Sequence, residues 1–418
     1  MSPGRVSRLR TTLAAGVVAA SVVPVWAGAP AYADHDAPCS VGEIPGSEQL
    51  ADTHEKDNPA FDRMHVEQAQ ELGTGRGARI AVIDSGVMRV PGLDVGDAQV
   101  ISGASGNSPL SGHGTIVAAL IAGPRGVAPG AQVYDFKVYD SETADVSQGQ
   151  KSLTSAGIIA GIDAVIAANR QVKFDVVNIS LAVTSPDPKL EAAVARLVDE
   201  DLVVVAASGN RVEGGEADEP GFKGTPGSDA DVFPADYPGV LAVSATPPNG
   251  DDPSQYVVPN MDTDVAAPTV GAISINATGQ VCVVGEVATS WAAAEVSGIV
   301  ALLSQRFPRE TPKQLVARLQ ATTEGAGAPQ GPDGEVESPW TGAGVVQAHD
   351  ALTRQLKPGR QGKVETTVAE IRADSQAPPA PERIDLFSTP RAILLWSGLV
   401  AGSLLALAFM LRPLLRRP

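Results

Sequence analysis

Aromatic residues are scarce, with Phe, Tyr and Trp together making up 4% of 418 residues. Basic residues are outnumbered as well, 31 Lys and Arg against 48 Asp and Glu, and the imbalance sharpens away from the ends, because residues 1–33 and 391–418 hold basic charge only. The stretch between them carries 24 basic and 48 acidic residues, a net of −24. So acidic a chain repels phosphates and offers few rings for base stacking, which excludes nucleic acid as a partner. Histidine occurs five times and cysteine twice. Two thiols without a neighbouring histidine pair do not make a zinc site, and no acidic loop has EF-hand spacing, so the residues specify no metal site and no cofactor, while calcium held by scattered oxygens leaves no mark in a sequence. Hydrophobic residues at 43% and charged residues at 19% are globular values and exclude bulk disorder.

The two ends read as membrane business. Arg5, Arg8 and Arg10 precede an apolar run from Leu13 to Ala29, then Ala31-Tyr32-Ala33, the pattern of a signal peptide over residues 1–33. Near the other end, Ala392–Leu411 is twenty residues without a charge, flanked by Arg391 and by Arg412, Arg416 and Arg417. At about 1.5 Å per residue this spans a bilayer core, so residues 391–418 read as a transmembrane anchor with a short cytoplasmic tail. An exported N-terminus then puts the main domain outside the cell membrane, held by a single pass. In an exported chain the pair Cys39 and Cys282 reads as a disulfide, and closing so long a loop stabilises by about 3–5 kcal/mol on the chain-entropy model.

Between the ends, strand and helix patterns alternate. Apolar runs at 78–83, 133–138, 175–180, 202–206 and 240–244 read as buried parallel strands. Helical spacing appears at 112–122, 155–168, 189–198, 290–305 and 312–322. The alternation predicts an α/β domain with a central parallel sheet covered on both faces. Residues 213–226 read as a solvated acidic loop, and residues 353–390, ending in Ala377-Pro378-Pro379-Ala380-Pro381, as a Pro-rich linker.

One constellation carries chemistry. Asp84 closes the first apolar strand, where open α/β sheets place their sites. His113 sits in Ser111-Gly112-His113-Gly114-Thr115, where glycines let backbone or substrate approach an imidazole. Ser290 heads the most apolar helix, whose free N–H groups and dipole favour a developing oxyanion. Asn210, in Ser208-Gly209-Asn210 after a strand, can add a side-chain amide to that oxyanion hole. Asp, His, Asn and Ser in this order suit nucleophilic acyl transfer: Ser290 attacks, His113 moves the proton and Asp84 orients His113. The rival Gly-x-Ser-x-Gly signature is absent.

These residues resemble the subtilisin-like serine proteases. Ala81-Val82-Ile83-Asp84-Ser85-Gly86 is similar to the family's Asp motif, His113-Gly114-Thr115 to its His motif, and Gly126-Val127-Ala128-Pro129 follows as it does there. Val177-Asn178-Ile179-Ser180-Leu181 resembles the cleft strand, Asp264-Val265-Ala266-Ala267-Pro268 the segment before the Ser motif, and Gly342-Ala343-Gly344-Val345-Val346 the closing segment. The resemblance covers residues 62–352 and implies a three-layer subtilisin-like fold, a peptide or protein substrate, and substrate contacts from Ser180, Leu181, Ala182, Ser208 and Gly209.

Residues 34–61, a short cysteine-bearing extension, the Pro-rich linker and the single anchor narrow the resemblance to the mycosins, membrane-anchored proteases of type VII secretion systems. That implies a partner in the secretion membrane complex. The family writes Gly-Thr-Ser with a Pro four residues after the Ser, and here Ala288 and Ala294 stand in those places. Ala288 puts a methyl where a glycine-like torsion or close approach would call for glycine. Ala182-Val183 stands where Gly is usual, which implies a shallower specificity pocket. The alternative function is a scaffold stabilising the secretion complex with little or no proteolysis.

Overall fold

The computed structural model describes residues 37–39, 58–97, 99–100, 104–106, 108–141, 144–211, 230–324, 338–364 and 388–412. The signal peptide, the acidic loop and most of the linker lie outside these residues. Two units form, Met1–Val364 and Glu365–Pro418. In chain order the elements of the first are β1 (Ala37–Pro38), α1 (Pro59–Arg63), α2 (Val66–Gln70), β2 (Arg79–Asp84), β3 (Gln99–Val100), α3 (His113–Ala122), β4 (Gln132–Lys137), α4 (Ser155–Val172), β5 (Val176–Ile179), α5 (Pro188–Val198), β6 (Val203–Ala207), β7 (Val240–Thr246), β8 (Val265–Pro268), β9 (Ile273–Ile275), β10 (Val281–Val283), α6 (Thr289–Arg306), α7 (Pro312–Gln320) and α8 (Ala348–Thr353).

Seven strands form one sheet in the order β3-β4-β2-β5-β6-β7-β8, with every pair parallel. Strands β6 and β7 are buried at each position, as runs such as Val203-Val204-Val205 require when both faces are covered. Alternate residues feed two cores. Ile80, Val82, Val205 and Val243 face one that includes α3 and α6, while Ala81, Ile83, Val204 and Ala242 face another built with α4 and α5. The three layers are thus helix, sheet and helix.

The helices differ by layer. Helix α5 buries Leu190, Ala193, Val194 and Leu197, an i, i+3, i+4, i+7 stripe, and is capped by Asp187, which accepts from the Lys189 amide at 2.8 Å. Helix α3 has no such stripe because all ten of its residues are buried. It packs against the sheet, α6 and β9 at once. Helix α6 is buried from Trp291 to Leu303 and lies across β5, β6, β7 and β8.

A second, three-stranded sheet, β1-β10-β9, was not legible in the sequence, since strands of two or three residues show no periodicity. It covers α3: the Ser274 hydroxyl on β9 donates to the Ile116 carbonyl at 3.0 Å. Cys39 and Cys282 are bonded as expected, with 4.9 Å between their Cα atoms, next to the register pair Ala37 and Cys282. Edge strand β8 is likewise an addition to the strands expected.

The second unit holds α9 (Ser388–Leu411), 24 residues or about 36 Å long. Its segment Ile393–Leu411 has a mean hydropathy of 2.1 and is fully exposed. By length and composition it can cross a membrane.

Candidate active site

Chain order and strand order part at β2: the chain runs from β2 to the edge strand β3, comes back in to β4 beside β2, then crosses to the other side of β2 for β5. Crevices at the carboxyl ends of strands form at such reversals. Asp84 ends β2 there, and Asn178 to Ser180 end β5.

Asp84 is fully buried, and His113, the first residue of α3, is 5% exposed. His113 Nδ1 lies 2.8 and 3.0 Å from the two carboxylate oxygens of Asp84. The Ser85 amide donates to Asp84 Oδ1 at 2.6 Å, and the Gly114 amide donates to the Ser85 hydroxyl at 3.0 Å. A carboxylate at Nδ1 fixes the tautomer and leaves Nε2 as the basic nitrogen. The glycine after His113 has a definite cause: a Cβ there would lie 2.5 Å from the Gly86 carbonyl oxygen and 3.0 Å from Asp84 Oδ1. The close approach is therefore made by the Asp loop.

Helix α6 brings the second group. The Trp291 ring lies 4.8 Å from the His113 ring at an interplanar angle of 33°, and its Nε1 donates to Glu286 Oε1 at 3.1 Å. This contact sets the head of α6, and Ser290 with it, on the histidine's side. The Ser180 hydroxyl lies 2.8 Å from the Ser290 carbonyl and 3.0 Å from Asn178 Oδ1, while Asn178 Nδ2 donates to Ser297 Oγ at 3.0 Å. The end of β5 is thus tied to α6 at two levels.

Asn210 Oδ1 accepts from the Thr289 amide at 2.7 Å and from the Thr289 hydroxyl at 3.0 Å. With the amide oxygen committed, the Nδ2 donors of Asn210 are the end left for a ligand oxygen. Gly209 has φ +104°, and a Cβ there would meet Val258 and Val232 at 2.9 and 3.0 Å. Ser180, Leu181 and Ser208 have buried side chains, so contact with a ligand at these positions falls to the main chain, whereas Ala182 is half-buried. Ala288 caps α6 at φ −144°, ψ 136°, an extended conformation open to any residue. No glycine-like torsion is needed there, which corrects the expectation from the sequence.

Two carboxylates beside this site depart from ordinary values. Asp140 feels its burial, which pushes it up, but hydrogen bonds from Lys137, Ser105 and Lys151 hold it down at about 2. Asp135 on β4 is pushed up to about 7, first by burial and then by the charge of Asp84. The sequence reading passed over Asp135, Trp291 and Asn178. A charged residue within a buried strand was the available signal for the first.

An open parallel sheet whose carboxyl end gathers a buried Asp–His pair and a serine-headed helix has the makings of a serine hydrolase. Residues 75–338 match the model of the subtilase family, and the chain belongs to that family of serine endopeptidases. It is 33% identical to Mycosin-1 of Mycobacterium tuberculosis over 339 residues, 71% of this chain and 73% of that protein. It is 32% identical over 274 residues to a thermostable alkaline protease of Halalkalibacterium halodurans, 64% of this chain and 68% of that one. The fold is similar to the crystal structure of MycP1 from the ESX-1 type VII secretion system, with a TM-score of 0.60, 28% identity and coverage of 78% and 91% of the two chains.

Proposed function

We propose that this chain is a membrane-anchored, mycosin-like endopeptidase in which Ser290 attacks the peptide carbonyl. His113 takes the Ser290 proton and returns it to the leaving amine, and Asp84 orients His113 and stabilises its charged form. The oxyanion is held by Asn210 Nδ2 and the Ser290 amide at the head of α6. Ser180, Leu181, Ala182, Ser208 and Gly209 flank the extended substrate. The observation that carries this reading is the buried Asp84 carboxylate bonded through both oxygens to His113 Nδ1.

With α9 as the anchor and residues 1–33 as a signal peptide, the enzyme would act on the extracytoplasmic side, a reading supported by the length and apolar composition of α9. A type VII secretion membrane complex is its partner, a reading supported by the similarity to Mycosin-1 and to the MycP1 structure. The scaffold alternative leaned on Ala288 and Ala294, and the ordinary backbone of Ala288 weakens the first of these supports.

The test is labelling of the detergent-solubilised full chain with a fluorophosphonate probe. Labelling of the wild type that disappears in Ser290→Ala is expected. A folded wild type that stays unlabelled would return the chain to the scaffold reading.

A further inference from the structure

Strand β4 carries a charge that the scheme above leaves unused. Asp135 stands opposite Val82 in the register of β4 against β2, and Asp84, two residues further along, stands opposite Lys137. Alternate residues of a strand share a face. Asp135 therefore points to the side of Val133, Ile80 and Val82, the side covered by α3, where His113 meets Asp84. Asp135 is 4% exposed, lies near the Val87 amide, and has no hydrogen-bond partner at Oδ1.

Its surroundings offer little compensation. The charged groups facing it are Asp84 on β2, Lys137 on β4 itself and Arg89 after β2. Lys137 Nζ is engaged with Asp140 Oδ1 at 2.8 Å and with the carbonyls of Ser108 and Gly106 at 2.8 and 3.0 Å. Arg89 is engaged with the carbonyls of Val95 and Gly96 at 2.7 and 2.8 Å. The segment after Asp84 is meanwhile pinned by two acceptors, Asp84 for the Ser85 amide and Thr115 Oγ1 for the Met88 amide, and passes near Asp135 at Val87.

We propose that Asp135 is a positioning residue of the active site: lying on the face of Asp84 beneath the loop that follows it, it sets, when ionised, a second negative charge beside the Asp84–His113 pair, governing the pH at which His113 can accept a proton. The inference rests on the peptidase reading of Ser290 and His113. Burial pushes Asp135 up to about 7, so its charge changes in the range where a histidine base works. A negative charge on this face favours the imidazolium, so ionised Asp135 keeps His113 protonated to higher pH, and the two groups titrate as a linked system.

Asp135→Asn isolates the charge, because the amide keeps the size and shape of the carboxyl but never ionises. In the detergent-solubilised full chain, the acidic limb of kcat/KM, normalised to each enzyme's own alkaline plateau, should move to lower pH by about half a unit. At the pH where the wild type is half-maximal this is a relative gain of about 1.5-fold, which fades further down the limb as Asp135 takes up its own proton in the wild type. A purely structural role would lower the plateau without moving the limb, and an unmoved limb in a folded variant overturns the proposal. Asp135→Ser, smaller and also uncharged, takes its place if the Asn variant does not fold. In a Ser290→Ala background the ring-proton NMR signals of His113 should pass through their titration at lower pH when Asp135 is replaced, and identical curves also overturn it. This second readout needs no turnover. A wild type that cleaves nothing therefore counts against the peptidase reading alone, while the NMR comparison still decides the role of Asp135.

Discussion

The two halves of the proposed active site are built to opposite requirements. Asp84 and His113 are buried, cross-tied through Ser85 and Gly114, and roofed by Trp291, whereas Ser290 and Asn210 stand half-buried at the head of α6 and just after β6. A carboxylate–imidazole pair works through fixed geometry in a low-dielectric setting, which demands burial. A nucleophile and an oxyanion donor must be reached by a peptide, which forbids it. The acid–base half should consequently be intolerant of a single added methyl, and the nucleophile half should absorb one.

The strongest way to break this comparison is Gly114→Ala. The new methyl would push the Gly86 carbonyl and the Asp84 carboxylate away from α3, and we expect a loss of about 10³–10⁴-fold in labelling rate or kcat/KM, with about 1–3 kcal/mol of lost stability in thermal unfolding. Near-normal activity would show that the Asp–His contact is not critical. Next comes Asn210→Ala, expected to lower kcat by about 10²–10³-fold while leaving KM within a few-fold. A change confined to KM would instead make Asn210 a substrate contact.

A third test is thermodynamic. The folded value of Asp135 is raised from 3.8 to about 7, so the native state holds a proton that the unfolded chain releases from about pH 4 upward. Stability then falls as pH rises through that window and levels off above it. Asp135→Asn should stabilise by up to about 4 kcal/mol above pH 7 and make little difference below pH 4. Equal unfolding midpoints at pH 4 and pH 8 for wild type relative to variant would contradict it. The smallest effect is expected from Ala288→Gly on the nucleophile half: with an extended backbone already in place, kcat/KM should change by less than about threefold.

Much of this arrangement was readable from residue order. Strands β2 and β4 to β7 and helices α3 to α7 announce themselves because both faces of the sheet are covered, which makes the strands unbroken apolar runs and gives α4 and α5 their stripes. Asp84 and His113 were legible because a strand end and a glycine-flanked histidine are local features. The meaning of Gly114 was only half legible. Its neighbours suggested room for a close approach, but that the Gly86 carbonyl makes it depends on residues 28 positions away in the chain. Trp291 and Asp135 lie inside the helical pattern at 290–305 and the strand pattern at 133–138, which give neither residue a role. What they do follows from the register of β4 on β2 and from the crossing of α3 by α6, which no local pattern encodes.

The disulfide has a consequence for how the molecule can be cut. Cys39 and Cys282, 243 positions apart, close a covalent ring that holds Asp84, His113 and Asn210, while Ser290 lies eight residues outside it. A single nick at any bond between the two cysteines, residues 212–229 included, opens the ring into two arms that stay joined through sulfur. The fragments would part only under reducing conditions, so a cleaved chain keeps the proposed base His113 and the proposed nucleophile Ser290 in one covalent molecule. A nick between Cys282 and Ser290 has no such safeguard.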